Sequence, residues 1–278
     1  MTSAPTGGRK AGTNWSAVRA VLRKDLQAVS RSKAVILPML VVPVVLLVIL
    51  PASIGYAAND RELRLNRFLD LLPTELTRPI LGLPAQEQLV VLVLGYLVAP
   101  LFLIVPLMVS AVLAGDAFAG EKERKTLESL LHLPVRDRDV YIAKLLVAFL
   151  PSVAVSWIGF AIYSVVANAV AWPVMHRVFV PTRLWAILIL WIAPGVAAVG
   201  LGIMVRVSIR VSNTQEAQQL GGAVVLPLVI LAVSQTTGLM LAGAMPTFVA
   251  GCIIWAIAAW LNIRGARAFT RDRMAARL

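Results

Sequence analysis

Apolar and polar positions along this chain fall into long blocks rather than short alternations. Runs without a charged residue extend over Ala34–Ala58, Leu89–Gly115, Leu145–Met175, Leu184–Val205 and Ala217–Ile263. A bilayer core of ~30 Å takes ~20 apolar helical residues, so each of the first four runs is long enough for one crossing. The fifth is 47 residues long, about twice one span, and its middle reads SQTTG and then AGAMP, which are turn residues rather than helix formers. Division there predicts six spans, at about 34–56, 89–114, 145–170, 184–205, 218–238 and 245–263. The expected fold is all-α, a polytopic membrane protein. An apolar content of 59%, against ~45–50% for soluble domains, agrees.

The polar blocks have patterns of their own. Residues 1–33 form a segment outside the bilayer, and Met1–Gly12 is small, polar and Gly-rich. From Trp15 the period becomes helical: Trp15, Val18, Leu22, Leu26 and Val29 share a narrow stripe, and Arg19, Arg23, Lys24 and Arg31 lie off it. Thr13 or Asn14 can cap this helix. Such a helix lies flat on a leaflet, with Trp15 and Leu22 in the acyl boundary and Arg19 and Arg23 among lipid phosphates. Between the first two spans, 59–88 mixes arginines with leucines as a short amphipathic element, a lid or a connector.

The densest polar block is Gly115–Lys144, with six acidic and six basic residues. Within it Glu121–Leu133 has helical periodicity. Leu127, Leu130 and Leu131 make one apolar patch, Glu121 and Glu123 sit in the expected first turn, Glu128 lies off the patch, and Pro134 is a stop. Asp137 or Asp139 then caps the helix that enters the membrane after Lys144. A short helix held between two spans, polar on one side and leucine-lined on the other, can dock in a groove of a soluble partner and pass force to both spans.

Charge orients the chain. Twenty of the 26 Lys and Arg, in the N-terminal segment, loop 115–144, Arg206, Arg210 and the basic tail 264–278, fall on one side; six fall on the other. The positive-inside rule places both termini in the cytoplasm of a cell-membrane protein, which an even number of spans also requires. The net charge of +12 then reflects topology and contact with lipid headgroups, and nucleic acid is not an expected partner, because the cations are scattered at membrane borders. The span-length first run and the long polar segment before it argue against a cleaved signal peptide.

Enzyme chemistry finds little support. Cys252 is the only cysteine and lies inside the last predicted span. The two histidines, His132 and His176, fall on opposite sides, and there is no H-E-x-x-H, no G-x-S-x-G and no G-x-x-x-x-G-K-[ST]. No catalytic residue and no metal ligand is expected. The spans hold no Asp, Glu, Lys or Arg, which argues against an ion-coupled transporter. Ser110, Ser152, Ser156, Ser164, Asn168 and Asn262 are expected to make interhelical hydrogen bonds. Gln235, Thr236 and Thr237 are candidate pathway lining. Pro106, Pro151, Pro194 and Pro227 should kink their helices, and Gly195, Gly200 and Gly202 should let helices approach closely.

The loop resembles that of ABC-2 type permeases, whose pattern is close to E-x-E-x-G-T-x-E-x-L-L-x-x-P with a Lys some ten residues on. Here the matching residues are Glu121, Glu123, Thr126, Glu128, Leu130, Leu131, Pro134 and Lys144, with Lys125 where Gly is common. A second, weaker likeness is NTQEAQQL at Asn213–Leu220, followed by a Gly pair and Leu226-Pro227. The resemblance implies the permease subunit of an exporter, in which Glu121, Glu123, Thr126, Leu127, Glu128, Leu130, Leu131 and Pro134 form a coupling helix for a separate ABC ATPase. It implies a second permease copy, as a homodimer or pseudo-symmetric heterodimer, and no cofactor in this chain, with ATP and Mg in the partner ATPase. The uncharged spans favour a substrate with a large apolar portion. The competing reading is a non-transporting membrane scaffold that recruits a soluble partner through loop 115–144.

Overall fold

A computed structural model describes residues 13–49, 51–53, 82–123, 137–211, 213–223 and 243–268. Among these the chain is helical, with no β-strand. In order come α1 (Trp15–Arg31), α2 (Lys33–Val44), α3 (Ala85–Val90), α4 (Val98–Phe102), α5 (Ile104–Glu123), α6 (Asp137–Met175), α7 (Arg183–Ile187), α8 (Ala193–Arg210), α9 (214–223) and α10 (Ala244–Ala268). Four helical stretches are long and apolar enough to cross a membrane: Val91–Gly120, Arg138–Met175, Arg183–Ser208 and Ala244–Arg267. They correspond to four of the six predicted spans. The first predicted span is represented by the shorter apolar helix Met39–Ser53, and the fifth lies mostly outside the described residues.

The helices run past the ends that hydropathy marks. The second predicted span stops near 114, yet α5 continues to Glu123; the third starts near 145, yet α6 begins at Asp137 and is 39 residues long. Hydropathy senses where charges begin, whereas Ala, Glu and Lys continue a helix readily in water. Two local expectations change as a result. Glu121 and Glu123 belong to the last turn of α5 rather than the first turn of a separate helix, and Asp139 lies inside α6 rather than capping it.

Helix α8 is the centre of the bundle, packed against α5 on one side and α10 on the other; α6 covers α5, and α1 lies along α6. The apolar windows around α5 and α8 are mostly buried in protein, while those of α6 and α10 are mostly exposed. Glycines permit the central contacts. A Cβ on Gly200 would lie 3.1 Å from the Leu107 carbonyl oxygen of α5, and one on Gly202 would lie 2.6 Å from Leu261 Cβ of α10. Small residues matter more in lipid than in water, because close van der Waals packing replaces the hydrophobic effect as the attraction between helices.

The prolines act through the helix ladder. Pro106 sits in the first turn of α5, where its missing N–H has no intrahelical role, and α6 passes through Pro151 without a break. Elsewhere a π-helical stretch precedes a proline by two or three residues: Val45–Ile49 before Pro51, Val91–Leu97 before Pro100, and Leu188–Ile192 before Pro194. A proline supplies no amide to the turn behind it, and widening to i→i+5 spacing absorbs the fault. At that spacing residue 100 faces the Gly95 carbonyl and residue 194 faces that of Ile189. Both carbonyls accept from indoles of neighbouring helices, Trp185 Nε1 at 3.0 Å and Trp157 Nε1 at 3.2 Å. The phenol of Tyr163 donates to the Leu94 carbonyl of the same π stretch.

Trp185 is fully buried, stacked with Phe160 at 5.3 Å and edge-on to Phe102 at 5.9 Å. Trp185→Phe keeps most of the packing and removes the donor to Gly95. It should cost about 1–3 kcal/mol, the penalty for leaving a buried polar group unmatched. Thermal unfolding in detergent measures it, and an unchanged melting temperature would show that the carbonyl needs no external donor.

The polar groups inside the spans mostly serve their own helix or a loop. Ser110 Oγ donates to Leu107 O at 2.9 Å and Ser152 Oγ to Phe149 O at 2.8 Å, both within one helix, contrary to the expected cross-helix bonds. The hydroxyls of Ser156 and Ser164 have no partner among the described residues. Asn262 does bridge helices, donating to Ala198 O at 2.9 Å. Asn168 holds the 176–182 turn: its amide donates to Val180 O at 2.6 Å and its carbonyl accepts from Phe179 N at 2.9 Å. Arg177 and Glu87 form a 2.8 Å ion pair at that same end of the bundle.

Candidate functional site

Helices α5 and α6 flank residues 124–136 and so form the root of the charged loop. Their ends are joined by Lys144, which is 2% exposed on the inner face of α6. Its Nζ donates to the Ala117 carbonyl of α5 at 2.7 Å and stands 5.6 Å from the centre of the Phe118 ring. Phe118, Val140, Tyr141 and Val205 form a small apolar cluster at this level, separate from the main core. A buried ammonium needs acceptors and an aromatic face to offset the loss of water, and α5 supplies both. The two arms of the loop therefore leave the bundle as one clamped unit.

Two further bonds tie that root to other elements. Asp139, also 2% exposed, accepts from the backbone N–H of Asn14 at 3.3 Å. Asn14 is the N-cap of α1, its Oδ1 accepting from Ala17 N at 3.3 Å, so the carboxylate on α6 holds the start of the amphipathic helix. Glu123 Oε2 accepts from Thr214 N at 3.0 Å. Thr214 opens α9, which Asn213 caps by accepting from Glu216 N at 2.7 Å. A carboxylate is disfavoured at the C-terminal end of its own helix and favoured at the N-terminus of another, so Glu123 at the meeting of α5 and α9 resolves an electrostatic conflict. The two motifs picked out of the sequence, E-x-E and NTQEAQQL, thus meet in space. Tyr141 Oη also donates to Asn262 O of α10 at 3.1 Å. The start of α1, the loop root, the start of α9 and the far part of α10 therefore share one end of the bundle.

The family model for the ABC-2 type transporter matches residues 16–233, from α1 through the loop and beyond α9. This chain belongs to the ABC-2 type transporter family. A comparison with individually curated proteins gave no significant match. An ABC-2 permease is a membrane transport subunit that is not itself catalytic, and the family generally works with an ABC ATPase.

In this permease the expected site residues divide into three groups. Glu123 ends α5, exposed at the loop root and bonded as above, and Glu121 lies in the same last turn. Thr126, Leu127, Glu128, Leu130, Leu131 and Pro134 lie outside the described residues, as do Gln235, Thr236 and Thr237. On α1, Arg19, Leu22 and Arg23, with Leu26, Gln27 and Ser30, line an open groove of about 300 Å³, and Trp15 is exposed. The stripe expected to face lipid is partly used by protein instead: Val18 and Val29 are buried and Leu22 packs on the core. The residues that organise the root, Lys144 and Asp139, stood in the sequence as a border marker and a cap. Their signal was a charge of each sign spaced to fall on the buried side of a helix whose apolar run begins only afterwards.

Proposed function

We propose that this ABC-2 permease is the membrane subunit of an ATP-driven exporter, with six spans, both termini in the cytoplasm of the cell membrane, and loop 115–144 as the docking element for a separate ABC ATPase. ATP and Mg bind in that partner. A second permease copy completes the transport path, most simply as a homodimer, and the substrate carries a large apolar portion. Gln235, Thr236 and Thr237 contribute to the path. The observation that supports coupling best is the buried Lys144–Ala117 clamp, because a loop whose arms are joined at the root moves as a lever. Its attachments through Glu123 and Asp139 would carry that motion to α9 and α1.

The test is co-purification with the ATPase together with a transport assay. Glu128→Ala removes one partner of an expected buried charge pair, a change that typically costs about 2–5 kcal/mol, and should release the ATPase or abolish transport. Leu130→Asp should lose the ATPase. Glu123→Ala should keep the ATPase but lose coupling, because it cuts the link to α9. Lys125→Gly should be tolerated. Full transport by both glutamate variants, with the ATPase retained by Leu130→Asp, would reduce the loop to a connector.

A further inference from the structure

At the end of the bundle that carries the loop root, α8 and α10 bring the guanidinium groups of Arg206 and Arg264 to one indole, that of Trp260. Arg206 and Arg210 are one turn apart on α8, and Arg264 and Arg267 are three residues apart on α10. The guanidinium carbon of Arg264 lies 4.5 Å from the Trp260 ring centre and that of Arg206 lies 5.3 Å from it. Arg206 gives one N–H to Leu261 O at 3.2 Å, and both Arg264 and Arg210 stand close enough to repel it. No carboxylate among the described residues pairs with any of the four. Stacking on an indole holds like charges together, and among the described residues the cluster has no anion.

The surface beside the cluster indicates which anion. Val249, Ile253, Ile257 and Trp260 are all about half exposed or more and recur at helical spacing on α10, and Arg264 continues the same face one turn beyond Trp260. At 1.5 Å per residue the apolar part of this stripe spans about 17 Å, close to one leaflet of a ~30 Å core. An exposed apolar stripe of leaflet length that ends in an indole and clustered guanidinium groups has the profile of one phospholipid lying along a helix. We propose that Arg206, Arg210 and Arg264 bind the phosphate of an anionic phospholipid, with its acyl chain along Ile253 and Ile257. This rests on the membrane placement of α8 and α10 and is independent of coupling to an ATPase.

The experiment is native mass spectrometry of the full chain released from detergent with phosphatidylglycerol or phosphatidylcholine added. Phosphatidylglycerol should be retained preferentially. Arg264→Gln should lower its apparent affinity about fivefold, the scale for one interfacial cation on an anionic surface, and Arg206→Gln with Arg264→Gln about 25-fold. Lys24→Gln, an exposed cation on α1 outside the Trp260 cluster, should change it less than about twofold, because charges beyond a Debye length of ~8–10 Å are largely screened. Equal retention of the two lipids by the wild-type chain would overturn the site. So would an equal loss in Lys24→Gln, which means diffuse attraction, or full competition by inorganic phosphate, which means a free-phosphate site. The Arg264→Gln arm stands even if the double variant misfolds, since Arg264 makes no hydrogen bond among the described residues.

Discussion

Lys144→Met should leave the permease inserted and bound to its ATPase while transport per ATP hydrolysed falls by at least about tenfold. Methionine keeps an unbranched stem beside the Phe118 ring but removes the ammonium from the Ala117 carbonyl. A hydrogen bond to a charged group contributes about 1.5–3 kcal/mol net, and losing a buried charge returns part of its desolvation cost. The fold therefore survives. The join between the two arms of the loop does not, and about 1.4 kcal/mol of lost preference between coupled and uncoupled arrangements is already tenfold. Lys144→Glu places an uncompensated carboxylate in the same buried position, where breaking such a pairing costs about 3–5 kcal/mol, and should prevent accumulation in the membrane. The measurement is substrate transport and ATPase activity of the reconstituted complex. Wild-type transport efficiency in Lys144→Met would sink the lever.

Gly200→Leu should have the largest effect on stability. The first side-chain atom would already meet Ser110 Oγ at 2.6 Å, Leu107 Cδ1 at 2.9 Å and the Leu107 carbonyl oxygen at 3.1 Å. The last of these belongs to the backbone of α5 and cannot rotate away, so α8 and α5 must separate. Overpacking costs about 1–3 kcal/mol and at times more; here Gly200→Ala should lie within that range and Gly200→Leu above it. Gly222→Ala is the control. Among the described residues a Cβ there meets nothing within 4 Å, and alanine raises helix propensity by about 1 kcal/mol, so its stability should hold or rise. Unfolding in detergent, followed by monodispersity, separates the three. A Gly200→Ala protein as stable as wild type would show that α5 and α8 are not in close contact.

Four of the six predicted spans have described counterparts because length and apolarity are the only requirements for crossing a bilayer, and both are written in linear order. The amphipathic α1 and a cap at Thr13 or Asn14 were legible for the same reason, since they depend on residues within four positions of each other, and the structure places the cap at Asn14. Helix ends were not. Charge at Asp116 and Lys144 marked the expected membrane border, but a helix does not stop at a border, and α5 and α6 continue past it to Glu123 and from Asp137. The π stretches left a trace as the prolines that follow them, without any sign of the indoles that take up the carbonyls. Ser110 and Ser152 were read as links between helices and turned out to bond one turn back, an option that competes locally with any distant partner.

Class, membrane character, the uneven spread of charge along the chain and the motif of the ABC-2 family were determined by the sequence alone, since each is a property of composition or of short spacing. Only the tertiary structure decided that Lys144 reaches Ala117 across 27 residues, that Asp139 holds Asn14 across 125, and that Glu123 meets the start of α9 across 91. Those pairings depend on which faces of α5, α6 and α8 turn toward each other. That choice is made by close packing at Gly200 and Gly202, where the gain comes from many small contacts summed over whole helices and leaves no pattern in any one of them.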